Sequence, residues 1–171
     1  YMTYSLLLPP NTEESYIADL VAAISKYAAE LGITIVGGHT GYYGSVTVPT
    51  IGGITIWGIN DRYVSPKGAQ PGDNIIITKG TGIEAAAVLA FEFKDVLKKK
   101  IPAEELQRAL QRMHEVSVVK DAMIAAKHLG VHAMHDATEG GVKRGVWEVA
   151  KASGVGVMVN KDELLIPADI K

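Results

Sequence analysis

The 171-residue chain carries 17 Lys and Arg against 19 Asp and Glu, a formal net charge of −2, with 47% hydrophobic residues and no cysteine. Acids and bases are interspersed, so the basic footprint of a nucleic-acid or membrane-surface binder is missing, and no apolar run is long enough to span a bilayer. Lack of cysteine excludes a disulfide framework, thiolate catalysis and Cys-ligated zinc within these residues, and the expected location is the cytoplasm.

Met2 to Leu8 reads as a strand that Pro9-Pro10 stops. Asn11 and Glu14 have the spacing of a capping box, after which Ile17, Leu20, Val21, Ile24, Ala28 and Leu31 recur on one helical face. Gly32 supplies a left-handed stop, and Ile33 to Val36 has the length and composition of a buried strand. Gly37-Gly38-His39-Thr40-Gly41 then reads as a glycine-rich loop. Val46 to Ile59 is rich in β-branched residues but broken by Pro49 and Gly52-Gly53, which predicts two strand pieces or one bulged strand.

The turn formers between Asn60 and Asp73 break every hydrophobic period. Residues 1–60 are therefore expected to form one domain, 61–72 a linker and 73–171 a second domain. Ile75-Ile76-Ile77 predicts a strand and Thr81 with Glu84 a capping box; helices follow from Ala85 to Leu89, Pro102 to about Met113, and Val116 to Leu129 with Val116, Val119 and Met123 on one face. Lys98-Lys99-Lys100, before Ile101-Pro102, reads as a solvated face. Val131 to Met134 predicts a strand, Val142, Val146, Val149 and Ala150 the stripe of a last helix ended by Gly154, and Val155 to Val159 a final strand. At both ends the chain reads as the middle of a longer polypeptide.

His135-Asp136-Ala137-Thr138-Glu139-Gly140-Gly141-Val142 carries the most chemistry. A helix start offers unpaired N–H groups and the positive end of a dipole, glycines let an anion approach the backbone, and Asp136 can hold Mg²⁺ beside it. Thr138 as a plain helix cap and Gly140-Gly141 as a plain turn explain the same residues equally well. Neither a Walker A loop nor a dinucleotide-binding fingerprint is present.

Ile35-Val36-Gly37-Gly38-His39-Thr40, Thr78-Lys79-Gly80-Thr81-Gly82-Ile83-Glu84-Ala85 and the His135–Val142 segment, taken in this order, resemble the aminoimidazole ribonucleotide (AIR) synthase superfamily. Its members include formylglycinamide ribonucleotide amidotransferase, thiamine-monophosphate kinase, selenophosphate synthetase and the HypE-type hydrogenase maturation proteins. The stretch through Trp147-Glu148-Val149-Ala150 to Ser153-Gly154-Val155-Gly156 is most similar to HypE-type proteins. The resemblance implies a PurM-like α+β (mixed α/β) architecture of two domains, here incomplete at both ends, a homodimer formed through the first domain, and ATP and Mg²⁺ as cofactors. It implies phosphoryl transfer to an amide or carbonyl oxygen. For a HypE-type protein the acceptor would be a carbamoylated C-terminal cysteine, dehydrated to a thiocyanate, with a maturation-complex protein as a possible partner; the competing expectations are a non-catalytic scaffold or another activity of the superfamily, selenophosphate synthetase, thiamine-monophosphate kinase or AIR synthase.

Carried over by position, Asp136 matches the second-domain acid that contributes to Mg²⁺ binding, and Thr138, Gly140 and Gly141 the nucleotide-contacting turn. Gly37, Gly38, His39 and Thr40 match the first-domain segment near the phosphates. Several members have an acid where this chain has His39; because Mg²⁺ prefers hard oxygen donors, His39 is expected to donate a hydrogen bond to phosphate, the bland alternative being a histidine that orders the loop. The superfamily's Asp-Asp-Ala type motif and the C-terminal cysteine of HypE-type enzymes are not in the chain, which is therefore expected to hold only part of a Mg-ATP site. His135 is expected to support the Asp136 loop, Lys79 to be solvated, Trp147 to lie in the core, and His128 with His132 not to form a zinc pair, since Gly130 breaks the helix between them.

Overall fold

A computed structural model describes residues 1–170, without the side chain of Asp169, as a mixed α/β chain of two compact units, Tyr1–Asp61 and the remainder from Arg62.

In the first unit, β1 (Met2–Leu8) is the central strand of a three-stranded sheet of order β2-β1-β3. It runs parallel to β2 (Ile35–Tyr42) and antiparallel to β3 (Thr50–Ile56). Parallel neighbours need a crossover, and α1 (Glu14–Glu30) supplies it. Successive side chains of a strand point to opposite faces, so Met2, Leu6 and Leu8 share one; all three are buried, Leu6 and Leu8 at 0% exposure.

The expected Asn11–Glu14 capping box does not form. Thr12 instead closes the turn after the prolines, its N–H and hydroxyl both donating to the Pro9 carbonyl, and α1 starts after Glu13 with no side-chain cap. Its stop is as expected: Gly32 has φ 67° and its N–H donates to the Ala29 carbonyl. In β3 the register passes from Ser5 opposite Gly53 to Leu6 opposite Ile51, leaving Gly52 as the extra residue of a bulge, whereas Val46 to Pro49 lies outside the strand.

The second unit is helical: α2 (Ile83–Glu92), α3 (Lys94–Leu97), α4 (Ala103–Gln111) continued by a 3₁₀ turn over Arg112–Glu115, α5 (Val119–Ala125) and α6 (Gly141–Ser153). Ala90 of α2 packs with Leu106 and Ala109 of α4, and Leu97, Ile101 and Leu110 close around them. Thr81 does not cap α2; its N–H and hydroxyl both bond the Leu165 carbonyl, and left-handed Gly82 is the cap residue. Helix α5 is shorter than its apolar pattern suggests, and the expected stripe is not its buried face, since Val119 and Met123 are exposed. Lys98 to Lys100 are exposed, as expected.

Ile75–Ile77, Val131–Met134 and Val155–Val159 do not form strands. A strand's backbone is satisfied only by a neighbour, and among the described residues none of these runs finds a ladder. Ile76 is 84% and Met158 93% exposed. Arg62 to Asp73 is tied to its own unit: Ser153 Oγ accepts from the Gly68 and Ala69 N–H groups at 3.1 Å and donates to the Pro66 carbonyl, and Met134 N–H donates to the Ser65 carbonyl.

Candidate functional site

The segment His135–Glu139 enters α6 as irregular chain rather than from a strand. Gly140 (φ 83°) and Gly141 (φ 61°) are both left-handed, and Gly141 N–H closes a turn onto the Thr138 carbonyl at 2.9 Å. A Cβ on Gly140 would lie 2.8 Å from Arg144 Cβ, so this turn requires glycine. The cap residue is Gly140 and no side chain caps the helix, which removes the plain-cap alternative for Thr138.

Asp136 presents its carboxylate beside this turn, 57% exposed, with Oδ1 3.3 Å from His135 Nδ1. The other nitrogen of His135 lies 2.8 Å from Glu148 Oε2, and Glu148 Oε1 accepts from Arg144 Nε at 2.8 Å. The Arg144 guanidinium, and then His135, hold the Glu148 carboxyl below the usual carboxylate range, while Glu148 raises Arg144. A chain His135–Glu148–Arg144 thus anchors the segment to α6 with Asp136 beside it, and in this way His135 supports the Asp136 loop as expected. Sequence reading did not give Arg144 and Glu148 this part; their i,i+4 spacing on a helix was the available signal.

Among the described residues no group of three His, Asp or Glu side chains could hold a metal ion. Asp136 fits Mg²⁺ as a single hard oxygen donor, the pattern of a metal that takes its remaining ligands from phosphate and water.

In the first unit the expected glycine-rich loop is part of strand β2: Gly37, Gly38, His39, Thr40 and Gly41 pair with Thr3, Tyr4, Ser5, Leu6 and Leu7. Neighbours alternate faces, so His39 shares the face of Ser5 and Thr40 that of Leu6, and these two side chains do not converge. A Cβ on Gly38 would collide with the Tyr4 carbonyl, a packing reason for that glycine. His39 Nε2 is 2.7 Å from Tyr43 Oη. A cleft of about 380 Å³ lies on this unit, lined by Thr3, Ser5, Leu7, Gly38, Gly52 and Thr55 among others. Asp136, Thr138, Gly140 and Gly141 belong to the second unit and Gly37 to Thr40 to the first.

Two family models match the chain: the AIR synthase related protein N-terminal domain over residues 1–59 and the C-terminal domain over residues 70–170. The chain belongs to the AIR synthase related family. Carbamoyl dehydratase HypE of Cupriavidus necator is 27% identical to it, covering 98% of this chain and 45% of that protein. Thiamine-monophosphate kinase of Pyrococcus horikoshii is 24% identical over 98% of this chain and 50% of its own length, and selenide, water dikinase of Methanococcus maripaludis 28% identical over 90% and 48%. The chain spans about half the length of the curated relatives it matches. No solved structure matches it.

Other residues of this AIR synthase related chain that invited a functional reading are engaged elsewhere. Lys79 is not simply solvated: its Nζ lies 2.9 Å from Asp121 Oδ2 and donates to the Ser117 carbonyl at 2.7 Å, and it has φ 63°. Trp147 is not in the core; it is 53% exposed, with Lys151 Nζ 4.7 Å from its ring centroid. His132 Nδ1 lies 3.0 Å from both Asp73 carboxylate oxygens. No helix among the described residues is long and apolar enough to cross a membrane.

Proposed function

We propose that the protein is an ATP- and Mg²⁺-dependent enzyme that phosphorylates an amide- or carbonyl-type oxygen, and that its reaction is HypE-like, the dehydration of a carbamoylated C-terminal cysteine to a thiocyanate. The observation that carries the reading is Asp136: an exposed carboxylate beside His135 and next to a double-glycine turn at the start of a 13-residue helix. Relatives named as a kinase, a dikinase and a carbamoyl dehydratase support the phosphoryl-transfer class.

Bound Mg²⁺ would neutralise polyphosphate charge and polarise the transferring phosphoryl group. Asp136 would hold that ion, with His135, fixed through Glu148 and Arg144, limiting the carboxylate's motion. Thr138 and the backbone of Gly140 and Gly141 would meet the nucleotide, and His39 would donate to phosphate. Pairing of two copies through the first unit, and a maturation-complex protein partner, complete the proposal.

Thiamine-monophosphate kinase activity is the second reading, favoured by relatives of that name that match 98% and 91% of the chain. Product analysis separates the two. Titration of Mg-ATP into the full-length protein tests what they share: binding is expected below millimolar nucleotide, weakened about tenfold in Asp136→Asn at limiting Mg²⁺. Undetectable binding at millimolar Mg-ATP would leave the non-catalytic scaffold, and an Asp136→Asn protein indistinguishable from the parent would remove the metal assignment.

A further inference from the structure

His39 and Gly41 lie at alternate positions of β2 and share a face, and Tyr43, the first residue beyond the strand, is tied to β1 by its N–H donating to the Leu8 carbonyl. The two rings meet over the glycine: His39 Nε2 is 2.7 Å from Tyr43 Oη, with ring centroids 6.3 Å apart. A Cβ on Gly41 would lie 2.8 Å from Tyr43 Oη and 2.9 Å from His39 Nε2, so the missing side chain is the clearance beneath this bridge. Among the described residues His39 Nδ1 has no hydrogen-bond partner.

We propose that Tyr43 is a positioning residue: its hydroxyl donates to His39 Nε2, fixes the neutral tautomer with the proton on Nδ1, and leaves that N–H to meet a phosphate oxygen. The inference rests on the reading of His39 as a phosphate donor and adds what makes it one. A neutral imidazole carries one donor and one acceptor, and the partner of one nitrogen decides which nitrogen keeps the proton. With the proton on Nε2, a lone pair on Nδ1 would face the anion and repel it. A phenol hydroxyl is a stronger donor than acceptor, so by engaging Nε2 from the side Tyr43 favours the Nδ1–H tautomer without a charged group, and Gly41 is the residue that lets the two rings close.

Nitrogen-15 NMR of the His39 ring at a pH where it is neutral, with Mg-ATP titration, tests this on the full-length parent, Tyr43→Phe, Gly41→Ala and His39→Ala proteins. Gly41→Ala is informative because the atoms it displaces are the ends of two flexible side chains, so the bridge opens while the strand stays. The parent is expected to carry its proton on Nδ1, both bridge variants to shift it toward Nε2, and both to raise the Mg-ATP Kd about three- to tenfold. A parent proton on Nε2, or an unchanged tautomer in Tyr43→Phe, overturns the proposal. So does a shifted tautomer with unchanged affinity in a protein that His39→Ala weakens. If His39→Ala itself leaves affinity unchanged, the phosphate reading of His39 is what has failed, and the bridge serves the strand alone.

Discussion

The two units solve the same problem, how to place apolar chain, in different ways. In Tyr1–Asp61 a single strand, β1, is hydrogen-bonded along both edges and puts Met2, Leu6 and Leu8 on one buried face. From Arg62 onward the buried centre is helical, around Ala90, Leu106 and Ala109, while Ile75–Ile77 and Val155–Val159 remain irregular. A helix closes its own hydrogen bonds, so an apolar stripe suffices to dock it; a strand's backbone needs a neighbour at the right register. Apolar, β-branched composition therefore marks a segment that could pair, and the supply of a partner decides whether it does.

If one strand carries the first unit, removing its central side chain should be the most damaging change in the chain. Leu6→Ala deletes a fully buried side chain from the only strand among the described residues with two neighbours, an expected loss of about 2–4 kcal/mol. Trp57 lies in the first unit and Trp147 in the second, so each reports on one of them when the other is changed to Phe. Urea unfolding should show Trp57 released early and the Trp147 transition nearly unmoved. Equal displacement of both transitions would mean that the units unfold together and the contrast has no energetic content.

The same contrast explains which features were legible beforehand. β1, the helical reach of α1 and α6, their glycine stops and the bulge at Gly52 follow from period and from residues whose conformation is restricted locally. At the second expected capping box the Leu165 carbonyl takes Thr81, and at the first Thr12, the residue after Asn11, closes a turn onto the Pro9 carbonyl and the helix begins only after Glu13. Gly37 to Gly41 reads as a loop by composition; it is a strand because β1 lies alongside and Gly38 admits the Tyr4 carbonyl. At the site, Asp136 and the double-glycine turn stand out in the sequence. The support through Glu148 becomes visible only when α6 brings it back to His135, 13 residues away.

A smaller effect is expected where polar ties do the work that a ladder does in the first unit. Ser153→Ala removes the acceptor of two amides and one donated bond, costing about 1–2 kcal/mol, with the loss concentrated in Arg62 to Asp73. Hydrogen exchange at the Gly68 and Ala69 amides should accelerate about five- to thirtyfold by that estimate. Protection that persists in the variant would show that the segment is held by its other contacts and that Ser153 is incidental.

The smallest effect concerns charge, which divides the units as sharply as topology does: every ion pair among the described residues lies from Lys79 onward or joins Asp73 to His132. Asp73 is held below its ordinary value by the Gln70 N–H and then by His132, Asp121 by Lys79, and Glu148 by Arg144. A carboxylate whose folded value is depressed stabilises the fold above its unfolded value, and that contribution disappears as pH falls through the folded one. Acidification from neutrality to below about pH 4 should therefore lower the Trp147 transition more than the Trp57 transition. Asp73 is exposed and Asp121 and Glu148 are half-buried, all three still in contact with solvent, so screening keeps each contribution small. General repulsion between positive charges in acid acts on both units, and Asp73→Asn and Asp121→Asn isolate the specific part. These variants should start less stable at neutral pH and narrow the acid-induced gap between the two transitions. A gap that survives both substitutions, together with Glu148→Gln, would trace the acid sensitivity of the second unit to its exposed apolar runs rather than to its ion pairs.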